Sequence, residues 1–120
     1  MIKHVLTCIF IIIAAQPAPA YAHAFPMHQT PGAGAVLSAP PAKVRITFDA
    51  ELEAPFSSLR VVDESNQSVC VGKGRVVPDN NHLLEADLKP LDPGKYHVFW
   101  SVVSRDGHRT EGDYTFRVKP

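Results

Sequence analysis

The sequence has few cysteines and no excess of charge of either sign, and these shortages exclude several classes of protein. Its 120 residues include two cysteines, Cys8 and Cys70, and 12 basic residues balance 12 acidic ones. A basic run that would bind nucleic acid or an anionic membrane surface is missing. Sustained 3.6-residue hydrophobic periodicity is missing as well, which argues against a helical protein.

The longest apolar run, residues 5–15, is shorter than the roughly 20 residues that a membrane-spanning helix needs. It follows a basic start and precedes Ala20-Tyr21-Ala22, the small-x-small motif that signal peptidase recognises. We therefore expect residues 1–22 to be a cleaved signal peptide. Residues 23–120 would then form one periplasmic domain, with no membrane insertion after cleavage.

Cleavage would leave Cys70 as the only cysteine of the exported domain. No intramolecular disulfide can then form, although export leads to an oxidising compartment. Stability must come from packing or from a bound ligand. A soft-metal role for Cys70 is open, but we interpret it as a small hydrophobic residue within a strand.

Short β-branched or alternating segments predict an all-β protein. The predicted strands span residues 43–48, 59–62, 69–71, 75–77, 83–88, 95–104 and 114–118. In the strongest of them, alternation places Tyr96, Val98, Trp100 and Val102 on one face. Turn signals separate the strands every 8–12 residues or so, and residues 29–37 are predicted to be an irregular loop. The pattern favours a Greek-key β-sandwich or barrel of about seven strands.

An N-terminal histidine can bind one metal ion through two of its own atoms. Cleavage after Ala22 would free the α-amine of His23, which can close a chelate ring with its own imidazole Nδ1. Both groups compete weakly with protons near neutral pH, since their reference pKa values are about 7.7–8.0 and about 6.5. Nitrogen-rich tetragonal sites suit Cu(II), which also heads the affinity order of divalent first-row metals.

One bidentate residue cannot fill a square plane, so a second imidazole and an oxygen are needed. Asp106-Gly107-His108 directly follows the strongest strand, and Gly107 permits a tight turn. Alone, this tripeptide is more often a solvated turn, but the histidine terminus makes a shared site possible. We predict one Cu(II) per chain, with His23, Asp106 and His108 as the metal ligands.

The chain also resembles the CopC family of periplasmic copper-binding proteins over nearly all of residues 23–120. The resemblance is carried by Trp100-Ser101-Val102-Val103-Ser104-Arg105-Asp106-Gly107-His108, by His23-Ala24 and by Leu91 with Pro93-Gly94. It implies a cupredoxin-like Greek-key barrel that binds Cu(II) through His23, Asp106 and His108. It further implies a copper-resistance or homeostasis role, with possible delivery of copper to a CopD-like inner-membrane transporter. We expect a monomer and no enzymatic activity.

Two features depart from the pattern of this family. Relatives often continue the Phe of the first long strand with Ser and then Glu, whereas this chain reads Phe48-Asp49-Ala50-Glu51. Whether Asp49 or Glu51 replaces that auxiliary carboxylate stays open. Some relatives also have a methionine-rich Cu(I) site, but Met27 is the only methionine after the predicted signal, so a Cu(II)-only protein is expected. His28 lies near His23, although the predicted ligand set is already complete. We interpret His82 as a turn residue and His97 as a strand residue, since neither has a partner at metal-ligand spacing.

Two other functions are compatible with parts of the sequence. Lytic polysaccharide monooxygenases also use an N-terminal histidine with a second histidine to bind copper, but 98 residues leave little room for their extended substrate face. An immunoglobulin-like interaction module with incidental histidines is the other alternative. No nucleophile motif indicates hydrolytic chemistry.

Overall fold

The structure is a computed structural model that describes residues 11–14 and 23–120. The predicted signal peptide, residues 1–22, therefore lies outside the described residues apart from 11–14. Among the described residues, no helix is both long enough and apolar enough to cross a membrane. A short 3-10 helix, Ala54–Phe56, accompanies eight strands: β1 (Pro26–Thr30), β2 (Val36–Leu37), β3 (Lys43–Phe48), β4 (Ser58–Val62), β5 (Arg75–Val77), β6 (Asn80–Asp87), β7 (Gly94–Val103) and β8 (Arg109–Val118).

The strands form two four-stranded sheets, ordered β1-β3-β6-β5 and β2-β8-β7-β4. All pairings are antiparallel except the short β2–β8 pair. The chain changes sheet at every connection from β1 to β5 and again between β6 and β7, whereas β5–β6 and β7–β8 are hairpins within one sheet. This is the β-sandwich that the spacing of strand and turn signals predicted.

The core lies between the two sheets and is built from the alternating residues of their strands. The inward face of β7 is buried as predicted, since Tyr96, Val98, Trp100 and Val102 are all at most 8% exposed. Phe48 of β3 meets Trp100 edge to face, with ring centroids 5.2 Å apart. This contact joins the central strands of the two sheets.

Three local predictions were wrong. Residues 69–71 form no strand, because their backbone hydrogen bonds are divided between the two sheets: Val69 N donates to Val61 O, and Val71 N donates to Asp87 O. Residues 29–37 are not wholly irregular, since they include the end of β1 and all of β2. The prediction that His82 lies in a turn was also wrong, because β6 begins two residues earlier.

The hairpin of β7 and β8 positions the candidate site. Its two ten-residue strands stay in register from Gly94 opposite Val118 to Val103 opposite Arg109. The loop between them is therefore presented at one end of the sandwich. The N-terminal segment reaches the same end of the sandwich, where the ring of His23 contacts that of His108.

Candidate metal centre

The loop between β7 and β8 fixes the relative positions of Asp106 and His108. Ser104 N donates to the carbonyl of His108 at 3.0 Å, and Gly107 N donates to the carbonyl of Ser104 at 2.9 Å. Gly107 has φ +89°, a backbone conformation that L side chains rarely adopt. The tight turn expected from the glycine is thus present, and it is closed by backbone hydrogen bonds.

Asp106 is surrounded by hydrogen-bond donors. Its Oδ1 accepts a short hydrogen bond from the Ser104 hydroxyl and another from His108 N at 3.1 Å. Its Oδ2 lies 3.0 Å from His108 Nδ1. The Ser104 hydroxyl above all, and then His108, hold the pKa of Asp106 well below its usual range. The carboxylate is therefore ionised at neutral pH, so a metal need not displace a proton from it.

The structure brings His23 next to His108. Their ring centroids are 5.1 Å apart, and the ring planes meet at 68°. The His23 ring also lies edge to face with Phe25 at 6.0 Å. His23 is half-buried, whereas His108 is exposed. The three predicted ligand residues thus form two contacting pairs that share His108.

Thr110, which the sequence did not single out, and Asp49, which it offered only as an auxiliary carboxylate, both contact the segment after His23. Thr110 Oγ1 donates to the carbonyl of Ala24 at 2.7 Å, and Ala24 is fully buried. Asp49 Oδ1 accepts from Phe25 N at 2.8 Å, and Asp49 N donates back to the carbonyl of Phe25 at 3.0 Å. Thr110 occupies an inward position of β8, and a polar residue at such a position is the one sequence signal that points to it.

An open cleft of about 400 Å³ adjoins Asp106. It is lined by Asp49, Ala50, Glu51, His82, Ser104, Arg105 and Asp106. Glu51 Oε2 is paired with Arg105 Nη1 at 2.5 Å, and His82 Nδ1 lies 3.1 Å from the carbonyl of Phe48. Three carboxylates against one guanidinium make the cleft attractive to cations. A role of Glu51 or Asp49 as an auxiliary ligand stays a prediction.

The other candidate residues lie in ordinary structural settings. Cys70 is half-buried against the edge of the core, with Sγ 4.0 Å from the carbonyl of Val61. His97 is on the outer face of β7, where Nε2 lies 2.5 Å from Asp113 Oδ2 and the ring stacks on Phe99. His28 is exposed on β1, opposite Thr47. The expectation that the ligand set is complete without His28 stays a prediction.

The donor set suits a borderline divalent metal. Two imidazoles and an ionised carboxylate meet at one end of the sandwich, and such nitrogen and oxygen donors favour Cu(II) among first-row ions. In the described part of the chain, no group of three or more His, Cys, Asp or Glu side chains is already arranged as a complete metal site. The fit therefore rests on the identity of the donors and on the two contacting pairs.

Fold and site together define a class: a small β-sandwich with a histidine-centred candidate metal site at one end. Comparison with known proteins gives the family. The model of the CopC domain matches residues 27–119, and the chain belongs to this family. The matched segment includes Asp106 and His108 and begins after His23.

Individual relatives agree with this assignment. Protein YobA of Escherichia coli K12 is 37% identical over 100 residues, which cover 82% of this chain and 81% of YobA. Copper transport protein CutJ of Bacillus subtilis is 31% identical over 85% of this chain but only 19% of its own length. The crystal structure of CopC from Methylosinus trichosporium OB3b superposes with a TM-score of 0.75 at 33% identity, covering 82% of this chain and 95% of that one.

Proposed function

We propose that residues 23–120 form a periplasmic carrier that binds one Cu(II) ion and either sequesters it or passes it to an inner-membrane copper transporter. The ligands would be the α-amine and Nδ1 of His23, an imidazole nitrogen of His108 and a carboxylate oxygen of Asp106. The observation that carries the proposal is the contact of His108 with both His23 and Asp106, at 5.1 Å between ring centroids and 3.0 Å between Nδ1 and Oδ2.

The spacing of Asp106 and His108 supports a shared metal ion. Asp106 Oδ2 and His108 Nδ1 are 3.0 Å apart, which is an ordinary hydrogen-bond distance. This contact keeps the carboxylate and the imidazole next to each other, so both could reach one ion.

The role of a carrier, without catalytic turnover, is supported by size and by family membership. Copper delivery is supported by the match to part of Copper transport protein CutJ, where a segment similar to this whole domain belongs to a much longer protein named for transport. A separate domain of this kind would carry the ion to a transporter as a soluble monomer. The predicted signal peptide supports the periplasmic location.

The proposal predicts that Cu(II) binding depends on the exact N-terminus. The test compares the protein that begins at His23 with a form carrying one extra glycine ahead of His23, by competitive Cu(II) titration. We expect one Cu(II) per chain for the authentic form and more than about tenfold weaker binding for the extended form, because the amine leaves the chelate ring.

A form with one extra glycine after Pro120 is the matched control and should bind like the authentic protein. N-terminal mass determination of the exported protein establishes the cleavage point in the same preparation. Equal affinity of the authentic form and the form extended ahead of His23 would contradict the proposal.

A further inference from the structure

We infer that Asp49 and Thr110 are positioning residues for the terminal histidine: they set the affinity for Cu(II) by holding His23 in place. The inference rests on the proposed Cu(II) function and adds two residues to it. Thr110 Oγ1 donates a hydrogen bond to the carbonyl of Ala24 at 2.7 Å, and Asp49 Oδ1 accepts one from Phe25 N at 2.8 Å.

The two contacts come from opposite sheets of the sandwich. Thr110 belongs to β8, whereas Asp49 directly follows β3. A second hydrogen bond, from Asp49 N to the carbonyl of Phe25 at 3.0 Å, doubles the attachment on that side. The segment after His23 is therefore clamped from both sheets.

The clamp acts very close to the predicted chelate. Ala24 is 0% exposed and is part of the hydrophobic core. Only two backbone torsions, ψ of His23 and φ of Ala24, separate the α-amine from the buried Cα of Ala24. A ligand that is already held near its bound position loses less conformational freedom when the ion arrives, and the affinity rises accordingly.

Thr110 lies two residues after His108, on the same strand that begins at the metal loop. The contact of its hydroxyl with Ala24 therefore fixes the distance between the N-terminal segment and the second imidazole. The side chains of Asp49 and Thr110 are both hydrogen-bonded to backbone atoms of the N-terminal segment. Their effect on the metal would pass through His23.

The test uses substitutions in the protein that begins at His23. Thr110→Val and Asp49→Ala each remove a hydrogen bond and should raise the Cu(II) dissociation constant about five- to tenfold. Thr110→Ser keeps a hydroxyl donor, and Asp49→Asn keeps a side-chain acceptor. The Cu(II) dissociation constants of both variants should stay within about twofold of the wild-type value. Thr115→Val, the same change elsewhere on β8, is the matched control.

A second background separates positioning from general destabilisation. In the form with one extra glycine ahead of His23, the amine has left the chelate and only the His23 imidazole still depends on the clamp, so Thr110→Val and Asp49→Ala should weaken binding by a smaller factor than in the authentic form. Thermal unfolding of each metal-free variant is measured in parallel. An equal loss of affinity in both backgrounds, or no loss in the authentic one, overturns the inference.

The unsubstituted protein distinguishes failure of the positioning role from failure of the proposed function. If the authentic form binds Cu(II) tightly and both Thr110→Val and Asp49→Ala bind equally well, only the positioning role is refuted. If the authentic form itself fails to bind Cu(II), the proposed function is refuted together with it.

Discussion

At the scale of single residues, the most informative group is the hydroxyl of Ser104. Ser104 continues the inward alternation of β7 but is polar, and it is 1% exposed. Its hydroxyl donates to Asp106 and is the main cause of the lowered pKa of that carboxyl group. A buried polar side chain at the end of an apolar face thus keeps the candidate ligand Asp106 ionised.

Replacing Ser104 by Ala should raise the pKa of Asp106 towards its ordinary value. Because this pKa is lower in the folded chain, ionised Asp106 stabilises the fold above the unfolded value of about 3.9. That stabilisation is lost as the pH falls through the lower pKa of the folded state. Ser104→Ala should therefore flatten the decrease of unfolding free energy below about pH 4.

Carboxyl NMR titration of the metal-free protein measures the pKa of Asp106 directly, and urea unfolding at several acidic pH values measures the slope. Ser101→Ala, on the outer face of β7, is the control. An unchanged pKa of Asp106 in Ser104→Ala would refute the assignment of Ser104 as its main donor.

The residues of the candidate site differ in how far the sequence predicts them. His23, Asp106 and His108 are identifiable because the terminal chelate and the Asp-Gly-His turn are local patterns. Asp49 and Thr110 act on residues that are 24 and 86 positions away in the chain. Contacts of this range depend on how the sheets fold together, so the sequence can mark Thr110 as an inward polar residue and Asp49 as a carboxylate but cannot predict which atoms they contact.

At the scale of secondary-structure elements, prediction succeeded where large side chains alternate. The inner face of β7 follows directly from period-2 alternation. β1 was missed because its sequence, PMHQT, begins with proline and lacks a hydrophobic face. It is an edge strand that exists through its pairing with β3, which is a tertiary effect.

Gly112 lies opposite Trp100 in the β7–β8 hairpin, where the indole ring leaves no space for a side chain. A Cβ added to Gly112 would lie 2.6 Å from Trp100 Cε2 and closer still to Cζ2. Alanine favours a strand more than glycine does, but this overlap is the larger effect. Gly112→Ala should therefore lower the free energy of unfolding by about 1–3 kcal/mol.

Urea unfolding of the metal-free protein measures this loss. Gly32→Ala is the matched control, because a Cβ there meets only Gln29 O at 3.8 Å. Equal stability of the Gly112→Ala and Gly32→Ala variants would show that Trp100 can shift without cost.

At the scale of the whole molecule, the candidate ion would join parts that the chain places far apart. The N-terminal segment is attached to both sheets, and the metal loop connects β7 with β8. An ion bound to both would add a cross-link that the metal-free fold lacks. Within residues 23–120, no disulfide supplies such a link, because Cys70 is the one cysteine there and is unpaired.

Cu(II) should therefore raise the thermal stability of the protein that begins at His23. At about 100 times the dissociation constant, binding to the native state alone adds about 2.7 kcal/mol. For a domain of this size, the melting temperature should rise by about 10–20 °C. Differential scanning calorimetry with and without Cu(II) measures the shift.

Addition of EDTA should return the melting temperature to that of the metal-free protein. The form with one extra glycine ahead of His23 should show a smaller rise at the same Cu(II) concentration. A melting temperature that does not change with Cu(II) would mean that the ion binds the native protein no more tightly than the unfolded chain.

The complete burial of Ala24 places an unusual demand on the neighbour of the terminal histidine. This residue is the second one after the predicted cleavage point. Export and cleavage should therefore tolerate a bulky side chain at this position. In the folded domain the same side chain would have no space, and it would push the histidine away from the loop. A protein with every ligand intact could thus lose its metal through a change of shape alone.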